Sequence, residues 1–325
     1  MRSNSMAATT FFVALALPSS ALAYGEPDAA GRPSLKERLT IVLTNQARQA
    51  PHAWPGWTTT LATSEARPPL SEDKGLAEAA RFHADDLASS GTFAHESSDG
   101  TPFSRRLARF FDGFGAENIL MGADDPRAAI TSWMGSDGHR VNILDAGLTH
   151  LGAGRSLAGS TAYYVQDFGV IPRSTTPPIP AASIELTRGH ATAIATWSNR
   201  EGQSPRSFRV AFDASCLDLT PIAGPPGNQT FAVELNRPSS CVPVVFHAES
   251  LSADGSRYPS TGALLVGDGC PSEFDPSVVT TPCSANRPVI DAEAEGCSVT
   301  RSSSSFWVLL LVCARRRVDR TGRAR

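Results

Sequence analysis

Two histidines and a glutamate carry the acid–base and metal-ligating capacity that stands out in this chain: His95, Glu117 and His139. Two neutral imidazoles and a carboxylate suit zinc, with a coordination position left open. Glu117 could instead serve as a general base through a bound water. Three strings hold these residues: Phe93-Ala94-His95, Gly115-Ala116-Glu117-Asn118-Ile119, and the run from Trp133 to Leu144. In the last of these, a helix carrying Trp133 is expected to end at Gly135. A polar turn, His139 and an apolar run follow, so His139 falls at an element boundary where a side chain can face a cleft. Other catalytic signatures fail. Met134-Gly135-Ser136-Asp137-Gly138 lacks the first glycine of a nucleophile elbow. His95-Glu96-Ser97-Ser98-Asp99 ends in aspartate, so it is not a metalloprotease helix.

The elements that must position these side chains can be read from spacing. Ser34-Leu35-Lys36-Glu37 is a capping box, and Leu35, Leu39, Val42, Leu43 and Gln46 then repeat at helical intervals. A second helix is expected from near Ser71, with Leu76, Ala80, His83 and Leu87 on one stripe and Gly91 as its stop. Thr101-Pro102 and Asp125-Pro126 each open a further helix. Asn118 to Met121, His150 to Arg155 and Ala162 to Val170 are strand candidates, the last two joined through Leu157-Ala158-Gly159-Ser160. Trp133 and His83 fit packed positions, and Asn142 and Gln166 fit amides that hold the fold. A structural reading stands beside the chemical one: His95 as a cap, Glu117 bonded to turn amides, His139 bonded to a buried carbonyl.

Together with Tyr164-Val165-Gln166-Asp167-Phe168-Gly169, the three strings resemble the CAP superfamily, also called SCP or pathogenesis-related-1-like, and in particular its bacterial secreted branch. The resemblance covers roughly Leu35 to Val170. It implies an α/β fold, a CAP-type α/β/α sandwich, with His95, Glu117 and His139 facing one cleft. It implies that His95 and His139 can hold a divalent cation such as zinc. The fuller family pattern has a second glutamate after the tryptophan helix; Ser136 stands there, which removes one carboxylate. Ser136 and Asn142 are then candidate ligand-binding residues, and Glu117, His139 and His95 the candidate catalytic set.

The rest of the chain sets this region in context. Hydrophobic residues make up 41% of 325, enough for cores in about two domains. The formal net charge of −3 hides an asymmetry. Seven arginines and only Asp319 fall in 298–325, and Arg2 is the one charge before Tyr24. The interval 24–297 therefore keeps 21 of the 29 basic and 31 of the 32 acidic residues, a net of −10. So acidic a body argues against a nucleic-acid partner. Residues 1–23 have the form of a signal peptide, with Thr9 to Leu17 apolar and Ala21-Leu22-Ala23 as cleavage site.

Residues 34–171 are assigned to the CAP-like domain and 172–180, rich in proline, to a linker. Over 181–290 the helical period disappears. Six strands are expected there, in a small all-β, sandwich-like domain: Ser183–Thr187, Ala191–Trp197, Ser207–Asp213, Thr230–Leu235, Val242–Glu249 and Gly262–Val266. All six cysteines lie beyond residue 215, and export plus sequence proximity favour Cys216–Cys241 and Cys270–Cys283. Residues 296–325 combine Cys297, a nine-residue apolar run and an arginine cluster, an arrangement that resembles a MYXO-CTERM sorting tail. Membrane contact is then expected only through that tail before processing. The whole describes an exported, cell-surface protein whose cleft binds an envelope or lipid-like ligand. The alternative is a metal-assisted hydrolase of envelope material.

Overall fold

The computed structural model describes residues 31–54, 65–213, 215–278 and Cys283. The signal-peptide region 1–23 and the tail 296–325 lie outside the described residues. Helix α1 (Leu35–Gln49) starts as its capping box dictates: Ser34 Oγ accepts from Glu37 N at 3.1 Å, and Glu37 Oε2 accepts from Ser34 N at 2.8 Å. A single 3-10 turn follows, Pro51–Ala53. Ser71–Glu72 is a short strand (β1), and helix α2 (Lys74–Ser90) begins only after Asp73 caps Leu76 N at 2.9 Å. The helix therefore starts later than the expected position near Ser71, after one short strand. Next come α3 (Phe103–Leu107), β2 (Gly115–Gly122), α4 (Pro126–Met134) and α5 (Asp137–Leu144). A hairpin closes this part, β3 (His150–Ala158) and β4 (Thr161–Gly169), turning at Gly159-Ser160.

The sheet order is β1-β3-β4-β2, with β1 parallel to β3 and the other pairs antiparallel. One face carries α2 and α3; the other carries α1, α4 and α5. This is the α/β/α layering expected. Helix α2 lies almost on the backbone of β3. A Cβ at Gly152 would stand 2.0 Å from Ala77 N, and one at Gly154 would stand 2.3 Å from the Ala80 carbonyl carbon. Glycine on the strand and alanine on the helix (Ala77, Ala80, Ala84) make that approach possible.

Beyond β4 the chain forms a β sandwich. One sheet has the order β5-β6-β10-β9, made of β5 (Ala182–Leu186), β6 (His190–Ser198), β9 (Thr220–Ala223) and β10 (Asn228–Asn236). The other is six-stranded: β14 (Phe274–Asp275), β13 (Ala263–Val266), β11 (Val242–Glu249), β7 (Ser207–Phe212) and β8 (Ser215–Asp218) in order, with β12 (Gly255–Tyr258) also paired to β11. All six expected strands are present. The four others (β8, β9, β12 and β14) are edge pieces of two to four residues. Trp197, Phe208, Phe231 and Phe246 fill the core between the sheets, with Phe208 and Phe231 ring centroids 5.2 Å apart.

The disulfides are Cys216–Cys283 and Cys241–Cys270, not the pairs that proximity suggested. The antiparallel ladder explains the second. Val242 pairs with Val266, so Cys241 and the segment after β13 meet at one end.

Leu35, Leu39, Val42, Leu43 and Gln46 repeat along α1 at helical intervals, and in the structure the helix is buried almost all round. Its second face packs on β5, β6 and β10, and Ala181, Ile194 and Ala232 join the CAP-side core. Ser183 Oγ donates to Leu35 O at 2.6 Å, and Thr230 Oγ1 to Gln49 Oε1 at 2.5 Å. Arg38 pairs with Glu72 at 2.9 Å and with the Tyr258 hydroxyl. The 172–180 connection carries neither helix nor strand and ends in buried Ile179 and Pro180. Both modules fall within one compact unit.

Candidate functional site

Strand β2 is an edge of its sheet, and the candidate residues converge on it from both faces. Glu117 lies on the α2 side with Ile119, and Asn118 on the α5 side. From one side comes the loop after α2, carrying His95; from the other comes the first turn of α5, carrying His139. The polar turn expected before His139 is only Gly135-Ser136, and His139 is already helical.

Glu117 is buried and both of its carboxylate oxygens are engaged. Oε1 stands 2.8 Å from His95 Nδ1, and Oε2 accepts from Arg106 Nη2. Arg106 comes from α3 and is fully buried. It also donates to His95 O at 2.9 Å and Ser97 Oγ at 3.2 Å, so it fixes both the glutamate and the loop that carries the histidine. His139 Nδ1 stands 2.8 Å from Ser136 Oγ, and its carbonyl accepts from Asn118 Nδ2 at 3.2 Å. Asn142 Nδ2 reaches Glu117 O at 3.2 Å and Asn118 Oδ1 at 2.9 Å. Asn118 Nδ2 in turn donates to Gln166 Oε1 at 3.0 Å, and Gln166 Nε2 to Thr44 Oγ1 at 2.6 Å. Ser136 and Asn142, expected to face a ligand, are thus tied inward, to His139 and to β2. Gln166 holds the fold as expected.

Each imidazole keeps its Nε2 without a protein partner among the described residues. Their proton affinities move apart. The hydrogen bond to Glu117 raises that of His95, whose side chain is 56% exposed. Burial, and the nearby charge of His95, lowers that of His139. The histidines are therefore close enough to sense each other.

Three further groups complete the cluster. His83 has no exposed surface. Its Nε2 lies 3.0 Å from Ala94 O, so that nitrogen carries the proton and the ring is a neutral packed donor, as its helix stripe suggested. Arg106 and Asp167 were not foreseen. Arg106 was indistinguishable from Arg105 beside it. Asp167 lies inside the string that carried the resemblance, but nothing in it marked the aspartate as a member of the site. Asp167 is the register partner of Glu117 on β4 and is wholly buried, and its two oxygens meet no protein donor among the described residues. Burial and the neighbouring Glu117 charge push its carboxyl well above the ordinary range.

As a metal site, the donor set is limited. The two free Nε2 atoms belong to rings whose Nδ1 atoms are anchored, the arrangement that orients imidazole ligands. Glu117 is already occupied by Arg106 and His95. Among the described residues no group of three or more His, Cys, Asp or Glu side chains is arranged to hold a metal. Nor is any helix among them long and apolar enough to cross a membrane.

The first part of the chain is similar to known proteins. Residues 42–168 match the model of the CAP family, the Cysteine-rich secretory protein family. The uncharacterized protein YkwD of Bacillus subtilis is 31% identical over 134 residues, 39% of this chain and 45% of that protein. The uncharacterized membrane protein YlbC of the same organism is 34% identical over 101 residues, 30% of this chain and 28% of that one. The chain therefore spans less than half of either curated relative. Among solved structures, an extracellular SCP-domain protein from Bacillus anthracis is 27% identical, with 42% of this chain and 40% of that one covered and a TM-score of 0.34.

Proposed function

From the CAP domain carried by residues 42–168, we propose that this protein is an exported binding module whose cleft between His95 and His139 receives an envelope or lipid-like ligand without turning it over. One observation carries the reading. The Glu117 carboxylate is clamped on both oxygens, by His95 and by buried Arg106, so it is a structural anion rather than a base facing substrate. The groups left unspent are the two Nε2 atoms. They could hold a divalent cation such as zinc weakly, as two donors whose remaining coordination is completed by water or by the ligand. Exposed apolar side chains lie on the same segments: Phe93 before His95, Phe114 before Glu117 and Val141 after His139. An apolar rim beside a polar centre suits an amphipathic ligand.

Zinc alone should raise the melting temperature of the purified protein by mass action on the folded state. The double variant His95→Ala/His139→Ala should lose that response. Peptidoglycan or phosphatidylglycerol vesicles should retain the protein without being degraded. Hydrolysis of either that disappears in Glu117→Gln would replace this reading with a hydrolytic one.

A further inference from the structure

The outer face of the six-stranded sheet, remote in sequence from the CAP cleft, carries a second set of unspent polar groups. On β11 the core takes Val244, Phe246 and Ala248, so His247 and Glu249 face outward. The ladder places Arg209 of β7 and Arg257 of β12 directly opposite His247 on its two sides. An Arg–His–Arg row across three strands is unfavourable by itself, since like charges opposite one another destabilise a sheet. His247 reflects it: burial and then Arg257 hold its proton affinity below the ordinary value.

This row borders a cavity of about 290 Å³, which Ser207, Glu249 and Ser256 also line and which Cys283 of the Cys216–Cys283 bridge walls on one side. The volume is at the small end for ligand sites. Arg257 is a fixed wall, donating to Ser260 O at 3.0 Å and Gly262 O at 2.8 Å. Arg209 spends only Nε, on Asp218 at 2.7 Å, and its two Nη groups have no protein partner among the described residues. The side chains of Ser207, Ser256 and Glu249 likewise make no hydrogen bond there, and His247 Nε2 is shielded from solvent with no partner. Buried unpartnered nitrogens cost stability, so they tend to persist where a ligand uses them.

From this geometry we infer that the outer face of the β sandwich is a binding site for a single-ring sugar bearing an oxyanion, either carboxylate or phosphate. The free end of Arg209 supplies a planar fork for the oxyanion. Ser207 and Glu249, opposite one another on the outer face, supply the mixed donors and acceptors that ring hydroxyls need. The His247 and Glu249 rows are about 7 Å apart along the strand, a distance one pyranose ring bridges.

Titration of the full-length, disulfide-intact protein with glucuronate, glucose 6-phosphate and glucose, followed by backbone amide chemical shifts, tests this. Glucuronate or glucose 6-phosphate should saturate shifts at Ser207, Arg209, His247 and Ser256, and the stronger of the two identifies the oxyanion. Glucose should bind at least about tenfold more weakly. Arg209→Ala breaks only a surface ion pair, so it should fold normally and weaken the charged sugar by about tenfold; Arg209→Lys should fall between. His95→Ala/His139→Ala should bind like the wild type, which separates this site from the CAP cleft. Absence of saturable binding by either charged sugar, or equal binding by wild type and Arg209→Ala, overturns the proposal.

Discussion

The two modules of this molecule treat polar groups in opposite ways. The CAP sheet buries them: Glu117, Asn118, Gln166 and Asp167 are sealed between β2, β4 and the flanking helices, and Arg106 and His83 join them from above. The β sandwich fills its interior with Trp197, Phe208, Phe231 and Phe246 and keeps Arg209, His247 and Glu249 on its outer surface. It is fastened instead by two disulfides. A buried polar cluster is costly wherever a member lacks a partner, so the bonds that Glu117, Arg106, Asn118 and Gln166 do make favour one geometry. An apolar core is tolerant of detail and leaves the chemistry to the surface. The comparison teaches that the cluster around Glu117 is organised from within, whereas the sandwich keeps its polar groups on its surface.

The largest effect should come from breaking that inner organisation. Arg106→Ala leaves Glu117 buried beside Asp167 without its cation. Removing one partner of a buried pair costs about 3–5 kcal/mol. Urea unfolding measures it, and a cost below about 1 kcal/mol would show that the cluster is not what holds the cleft. The corresponding blow to the sandwich is smaller. Cys241→Ser/Cys270→Ser opens a bridge across 29 residues and should cost about 2–4 kcal/mol. It should leave the pH response of His95 and His139 unchanged, because neither cysteine touches the CAP sheet.

These differences also explain what could be read from sequence. The capping box at Ser34, the six expected sandwich strands and the convergence of His95, Glu117 and His139 on one edge were legible, because each depends on local chemistry or a contiguous string. Arg106 was not. Its role arises from tertiary packing that brings α3 under Glu117, and its spacing in Phe-Ser-Arg-Arg-Leu says nothing of that. Asp167 was hidden for the opposite reason: in a strand, a buried acid cannot be told from an exposed one until the pairing with Glu117 is known. The two-sided burial of α1 was missed because one face anticipates the CAP core while the other waits for Ile194 and Ala232, some 150 residues or more downstream. Disulfide pairing failed likewise, since proximity in sequence ignores the β11–β13 ladder.

Asp167 gives the next effect in size. Its carboxyl is raised in the folded state, so the folded protein holds a proton that the unfolded chain releases above a pKa of about 3.9. Between that value and the folded pKa, stability must fall as pH rises, by up to about 1.4 kcal/mol per pH unit. Asp167→Asn removes the proton and keeps the shape, and its amide can donate to Glu117. The variant should therefore gain on the wild type as pH rises from about 4 to the raised folded pKa. Glu37 is also raised by burial, but it is present in both proteins and cancels in the difference. Parallel stability curves for the two proteins would mean that Asp167 is not protonated in the fold.

The smallest effect separates the two imidazoles of the cleft. His95 should titrate above about 6.5 and His139 below it, read from imidazole signals by NMR. For His95 the stabilising hydrogen bond to Glu117 is fully present below the unfolded pKa and fades as pH rises through the higher folded value. His139 works the other way, since its buried ring resists charging and loses stability as pH falls below about 6.5. Glu117→Gln should pull His95 down, because the amide no longer favours the imidazolium. It should also ease His139 upward, because a less charged neighbour repels its proton less. Zinc needs both rings neutral, and at neutral pH His139 is ready while His95 still competes with a proton. If zinc binds as proposed, the melting-temperature gain from it should increase from about pH 6 to pH 8, with the midpoint following His95. A midpoint that follows His139 instead, or a His95 that titrates below it, would mean that Glu117 does not govern the cleft in solution.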